Sequence, residues 1–205
     1  GQEQFYLEGQ VAYAIPREDA TMLVHSSTQH PSEMQFTIAH ALKWHAHQVS
    51  VECRRMGGGF GGKESQSAIF AAAAAVAANA TGKPVKMRAD RDDDFMITGK
   101  RHDFIYDYEI GFDDSGLIHA LKVDFIARAG FSADLTGPVM TRALCHVDNA
   151  YFLSDVELRG FCAKTNTQSN TAFRGFGGPQ GALLIEYLID SIARTLGIDP
   201  LTVRE

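Results

Sequence analysis

Residues 56–64 read Met-Gly-Gly-Gly-Phe-Gly-Gly-Lys-Glu (MGGGFGGKE), and residues 171–181 read TAFRGFGGPQG. Ordering glycine costs more backbone entropy than ordering any other residue, so two Gly-Phe-Gly-Gly clusters need a reason. Their surroundings match. Alternation from Gln48 to Arg54 predicts a strand running into the first cluster, and the alanine-rich stretch from roughly Glu64 to Ala80 predicts a helix behind it, ended by Gly82 and Pro84. Val156 to Lys164 predicts a strand before the second cluster. Pro179 to Leu196 predicts an amphipathic helix after it, with Leu183, Leu184, Tyr187, Leu188, Ser191 and Ile192 as the apolar stripe. A strand–glycine loop–helix junction aims free backbone N–H groups at an anion.

Working outward, Val11 to Ile15 and Thr21 to Ser26 have strand composition around a turn at "PRED", residues 16–19. Pro31 to Trp44 reads as a helix with Met34, Ile38, Ala41, Leu42 and His45 on one face. Val85 to Ala89 reads as a strand, followed by an acidic turn at "DRDDD", residues 90–94. Phe104 to Phe112 and Leu117 to Arg128 predict a hairpin around "DDSG", and Thr136 to Val147 a short helix despite Pro138. An antiparallel hairpin among strand–helix units predicts an α/β chain with mixed, α+β-type sheets rather than an all-parallel one.

The chain has 205 residues, 45% hydrophobic and 21% charged, with net charge −6. That suits a globular domain with its own core and disfavours nucleic acid as a partner, for which a basic patch is expected. The apolar run from Ala68 to Ala80 is too short and too alanine-rich to span a bilayer, so no membrane is expected. Cys53, Cys145 and Cys162 are odd in number and widely spaced, which reads as reduced core thiols in a cytoplasmic protein. His45 and His47 have no metal-ligand spacing. The end at "DPLTVRE" and the start without an initiator Met suggest an excised piece of a larger polypeptide, one partial domain over residues 1–205.

Several readings of the glycine clusters compete. GxGxxG occurs at Gly57 to Gly62, but no acidic ribose partner follows about twenty residues on. "RGFG" at Arg174 to Gly177 begins an RNA-binding pattern and then breaks at Gly178-Pro179. Gly62-Lys63 is followed by Glu64, so a Walker loop fails. An anion or cofactor cradle and a purely structural tight turn both stay open. The polar groups beside the clusters are Gln29, Lys63, Glu64, Arg142, Arg174 and Gln180. Each also has a bland explanation: Gln29 could cap the helix at Pro31, Glu64 could favour a helix dipole, Arg142 could be a solvated charge, and Phe176 could be core.

Six ordered segments, "GQEQFYLE", "SSTQ", "MGGGFGGKE", "MTRAL", "TNTQSNTAFRGFGGPQG" and "DPLTVRE", together resemble the first molybdopterin-binding domain of the xanthine dehydrogenase/aldehyde oxidase family. The resemblance implies a molybdenum cofactor (molybdopterin), hydroxylation of an electron-poor carbon with water as oxygen source, and electrons leaving through 2Fe-2S clusters and FAD on other domains or subunits of an oligomer. It implies that Gln29 bonds an oxo ligand of molybdenum. Gly59, Phe60 and Gly61 match the loop whose amides contact the cofactor, and Arg174 lies in the second cofactor loop. Contacts of Gln29, Phe60 and Arg174 would reach ligands of the metal, not the metal itself. Glu64 and Arg142 match the substrate-site pair, Phe176 the ring packed on the substrate, and Leu135 a channel wall. Aldehyde oxidases of the family look apolar at the positions of Glu64 and Arg142. The two charges here favour a purine, hypoxanthine or xanthine, because a hydroxylated purine gathers negative charge. Another N-heterocycle or an aldehyde stays as the alternative. The family's general-base glutamate is expected beyond residue 205, so this piece is expected to be inactive alone, or to serve only as a folding and assembly unit.

Overall fold

In the computed structural model, residues 2–205 are described. They divide into two units: residues up to Arg101 together with Thr171–Arg174, and His102–Asn170 together with Gly175–Glu205.

The first unit is a four-stranded mixed sheet, order β3-β2-β1-β4, with two helices over one face. β1 (Val11–Arg17) and β2 (Thr21–Ser26) form the expected hairpin, with Ala12 opposite Ser26 and Arg17 opposite Thr21. The turn lies later than "PRED": the strand runs through Pro16, and Asp19 and Ala20 make the bend with φ of 57° and 51°. Pro16 pairs Met22 of β2 but lies beyond the Val11–Ala14 stretch that pairs β4 (Val85–Arg88), so nothing on the β4 side needs its missing N–H. β3 (Val49–Glu52) adds parallel to β2.

α1 (Pro31–Leu42) and α2 (Ser67–Thr81) cover this sheet. Their buried face includes Met34, Ile38, Phe70, Ala71, Ala74, Ala75 and Ala78, packed on Ala12, Ala14, Met22 and Val24. Burial of each large side chain here contributes roughly 1.5–3 kcal/mol. α1 ends earlier than expected because Lys43 turns left-handed at φ 57°, which takes His45 out of the helix; within it, Ala39 is buried and Ala41 exposed. α2 begins at Ser67, not Glu64. The acidic stretch at 90–94 is not a turn but the start of α3 (Arg91–Ile97): the Asp90 carboxylate accepts from Asp93 N–H at 2.9 Å, and three aspartates sit in the first turn, where the helix dipole favours them.

The second unit is a three-stranded sheet, β5 (Phe104–Phe112), β6 (Ile118–Gly130) and β7 (Asp155–Lys164), with β5–β6 antiparallel and β6–β7 parallel. α4 (Thr136–Cys145), α5 (Gly178–Leu196) and the short α6 (Pro200–Arg204) complete it. Leu121, Val123, Phe125 and Ala127 of β6 pack against Leu184, Ile185, Leu188 and Ile189 of α5. The buried stripe of α5 is thus rotated by one position from expectation: Leu183 and Tyr187 face outward, 66% and 53% exposed. The thiols are free but not core: Cys53 is half-buried, and Cys145 and Cys162 are exposed. No helix among the described residues is long and apolar enough to cross a membrane.

Candidate cofactor-binding site

Both Gly-Phe-Gly-Gly segments adopt one conformation. In the first, Gly62 N–H donates to the Gly59 carbonyl at 2.8 Å; in the second, Gly178 N–H donates to the Gly175 carbonyl at 2.9 Å. Phe60 and Phe176 have φ of 53° and 50°, and the glycines after them, Gly61 and Gly177, have 94° and 101°. Two successive left-handed residues closed by an i to i+3 bond make a type I′-like turn. A phenylalanine held left-handed costs about 1–2 kcal/mol, a strain that persists only where surrounding structure enforces it.

In the first unit that enforcement comes from three sides. Gln29, just past β2, donates its backbone N–H to the Lys63 carbonyl at 2.8 Å, and its Oε1 accepts from Gly61 N–H at 2.9 Å and Lys63 N–H at 3.3 Å. Two N–H donors fix the oxygen end of this carboxamide, so Nε2 is turned away from the loop. Gln29 does not cap α1, whose N-cap is His30 with no side-chain cap bond. A Cβ at Gly59 would lie 2.5 Å from Gln29 Oε1, so only glycine lets the carboxamide lie there.

The underside is the N-terminal segment. Glu8 N–H donates to the Gly57 carbonyl, and Glu8 Oε2 accepts from Gly57 N–H at 2.8 Å and from Ser27 Oγ at 2.7 Å. Gln10 Nε2 reaches the Gly62 carbonyl at 2.9 Å. Lys63 points inward, fully buried, donating to the Glu8 carbonyl and Ser27 Oγ, both at 2.7 Å, with its Nζ 4.6 Å from the Tyr6 ring centroid. Burial pushes the Lys63 ammonium below its ordinary pKa, against the opposing pull of Glu8. Burial pushes Glu8 up, but the Gly57 N–H, the Ser27 hydroxyl and Lys63 outweigh it and hold the carboxyl below its ordinary value. Behind this layer Tyr6 donates to buried Asp94 at 2.6 Å; burial, then that bond, holds the Tyr6 phenol well above its usual range.

The third side is Thr171–Arg174. Arg174 N–H donates to the Phe60 carbonyl at 2.9 Å, and Gln4 Nε2 donates to the Ala172 carbonyl at 2.9 Å. Arg101 stacks 3.9 Å over the Phe173 ring and donates to the Arg174 carbonyl at 2.9 Å. A Cβ on Gly61 would lie 2.7 Å from the Ala172 carbonyl, so the loop and this segment touch backbone to backbone.

The first unit therefore gathers Gln29, Gly59, Phe60, Gly61 and Arg174, with Glu64 half-buried in the turn before α2. Gly61 N–H is taken by Gln29. The N–H groups of Gly59 and Phe60 have no acceptor among the described residues, and Gly59 is buried, a position where a backbone donor normally finds a partner. The second unit holds Leu135, Arg142 and Phe176. Leu135 is the N-cap of α4; Arg142 is exposed on that helix, with no side-chain partner among the described residues. Phe176 is half-buried, not core. Gln180 is not a ligand-facing group: it is buried, donating to the His102 carbonyl at 3.1 Å. The inward network of Gln4, Tyr6, Glu8, Gln10 and Asp94 was not foreseen, although the first four recur at every second residue, the period of an extended chain with one buried side.

Residues 1–205 match the family of molybdopterin cofactor-binding domains. The chain is 46% identical over 203 residues to a xanthine dehydrogenase of Drosophila subobscura, covering 99% of this chain and 15% of that protein. It is 44% identical over 200 residues to a nicotinate hydroxylase of Emericella nidulans, covering 97% and 15%. The solved structure of the aldehyde oxidoreductase from Desulfovibrio gigas superposes with a TM-score of 0.88 at 28% identity, over 98% of this chain and 22% of that one. The chain thus spans about 15% of the length of the curated relatives it matches. It belongs to the molybdopterin cofactor-binding domain family. The donor set fits such a group: two unclaimed backbone N–H groups and an outward-facing carboxamide NH2 suit oxygen or phosphate acceptors.

Proposed function

We propose that this chain is the first cofactor-binding segment of a molybdenum hydroxylase that oxidises hypoxanthine and xanthine to uric acid. The net change is a ring C–H becoming C–OH with oxygen from water, releasing two electrons and two protons. The molybdenum cofactor, when bound, supplies the transferred oxygen and takes up the electron pair, which passes to 2Fe-2S clusters and FAD elsewhere in a cytoplasmic, oligomeric enzyme.

In this reading Gln29 Nε2 and the N–H groups of Gly59 and Phe60 bind and orient acceptor atoms of the cofactor, and Arg174 lends positive charge beside Phe60. Phe176 packs its ring on the flat substrate, and Leu135 excludes water from the approach. Arg142 neutralises charge that builds on the heterocycle, and Glu64 holds a ring proton. What supports the purine assignment is that the sequence carries both Glu64 and Arg142 and is 46% identical to a xanthine dehydrogenase across 99% of its length. A second reading, another N-heterocycle, is favoured by similar identity to a nicotinate hydroxylase.

Glu64→Val with Arg142→Met in the full-length enzyme tests this. Purine kcat/KM should fall by about 10²–10³-fold, the scale of one lost transition-state donor, while aldehyde turnover survives. Purine turnover that barely moves would defeat the assignment. The 205-residue piece alone should hydroxylate no hypoxanthine; activity from it would show that the missing contacts are dispensable.

A further inference from the structure

Glycine is a poor choice inside a helix, where it costs up to about 1 kcal/mol relative to alanine. Yet α5 opens Gly178-Pro-Gln-Gly181. The reason is at α4. A Cβ on Gly181 would overlap the Ala143 carbonyl, and one on Gly177 would overlap the Val139 carbonyl and lie 3.0 Å from Ala143 N. By contrast, a Cβ on Gly178 would meet only the His146 ring, at ordinary contact distance. The backbone of α4 therefore lies directly on the start of α5. Arg142 is the residue before Ala143, and Phe176 the residue before Gly177, so this one contact relates both.

A polar pin fixes the same seat. Fully buried Thr136, in the first turn of α4, hydrogen-bonds His102 Nε2 at 2.8 Å. Gln180, in the first turn of α5, donates to the His102 carbonyl at 3.1 Å and accepts from Tyr106 OH through its own carbonyl at 2.9 Å. One residue thus holds the beginnings of both helices.

We propose that Gly181 and Thr136 are positioning residues that set the reach of Arg142 relative to Phe176, and so the preference for a charge-gathering heterocycle over a neutral carbonyl substrate. This rests on the function proposed above. The arginine itself has no partner among the described residues to hold it, so its placement depends on where α4 lies.

The test uses the full-length enzyme, with rates normalised to molybdenum content. In Gly181→Ala the helix gains propensity but α4 must move on the order of 1 Å, a displacement able to cost about 10²-fold. Purine kcat/KM should drop by that order, mainly in kcat because the guanidinium acts on charge in the transition state. Aldehyde kcat/KM should drop less than about ten-fold, so the purine-to-aldehyde ratio falls. Thr136→Val should shift the ratio the same way, and Thr136→Ser should restore it. Arg142→Met is run beside them. If its ratio is unmoved, the role of Arg142 and this inference both fall. If its ratio collapses while those of Gly181→Ala and Thr136→Val do not change, only the positioning inference is overturned.

Discussion

Gly61→Ala measures how firmly the first loop is seated, and Gly82→Ala is its internal reference. Both glycines have positive φ, 94° and 65°, so both substitutions incur left-handed strain of about 1–2 kcal/mol, partly offset by a stiffer unfolded chain. They differ in their walls. A Cβ at Gly82 meets nothing within 4 Å, whereas one at Gly61 lies 2.7 Å from Ala172 C and O and 2.9 Å from Phe173 N. Those atoms are backbone, and Ala172 is fully buried with its carbonyl bonded to Gln4, so they cannot retreat without losing that bond. Overpacking of this kind costs about 1–3 kcal/mol, and the stretched bond about 1 more. Gly61→Ala should therefore be less stable than Gly82→Ala by about 2–4 kcal/mol. The assay is urea unfolding followed by Trp44, the single tryptophan, which packs against the core of the first unit. With a slope of about 2 kcal/mol per M, the midpoints should differ by about 1–2 M. Coincident midpoints would mean that the loop does not rest on residues 171–174, and the seat of Arg174 beside Phe60 would have to be abandoned.

Lys63→Met keeps the buried stem and removes the ammonium; because Glu8 can still reach solvent, the cost should be about 2 kcal/mol rather than that of a fully buried pair, and an unchanged Trp44 transition would refute the inward role of Lys63. Asp113 caps the β5–β6 turn by accepting from Ser115 and Leu117 N–H, and bonds to the Ser115 hydroxyl and His119 push its pKa down to about 2. A carboxyl lowered on folding adds stability above its unfolded pKa, so the hairpin should loosen as pH falls from about 4 toward 2, and Asp113→Asn should abolish that slope. An NMR titration midpoint near 4 for Asp113 would contradict this.

Much of the fold was legible because it depends on short-range rules. Strand composition and the "DDSG" turn place β5 and β6, and an apolar run between glycines places α2 and α5. The misses have local causes too. The charge of "DRDDD" suits a turn, but Asp90 caps Asp93 N–H and the three aspartates that follow suit a helix N-terminus, so α3 starts there. The stripe of α5 slipped by one position because hydrophobic periodicity alone does not say which flank of a wide apolar face meets the sheet. The fate of the three thiols was not legible, since cysteine is at home both inside and on an open strand such as β7.

The candidate site divides along the same line. Residue order suffices to show that two glycine loops precede helices, that Gln29, Glu64, Arg142, Arg174 and Phe176 accompany them, and, through six ordered segments, the family. Those follow from residue identity and order. The folded arrangement is what turns Lys63 inward, commits the Gln29 oxygen to Gly61 and Lys63 N–H, and holds Phe60 and Phe176 left-handed. It alone set α4 on Gly177 and Gly181. These are outcomes of which atoms distant in sequence exclude or bond one another, and no local pattern encodes a contact between residue 61 and residue 172.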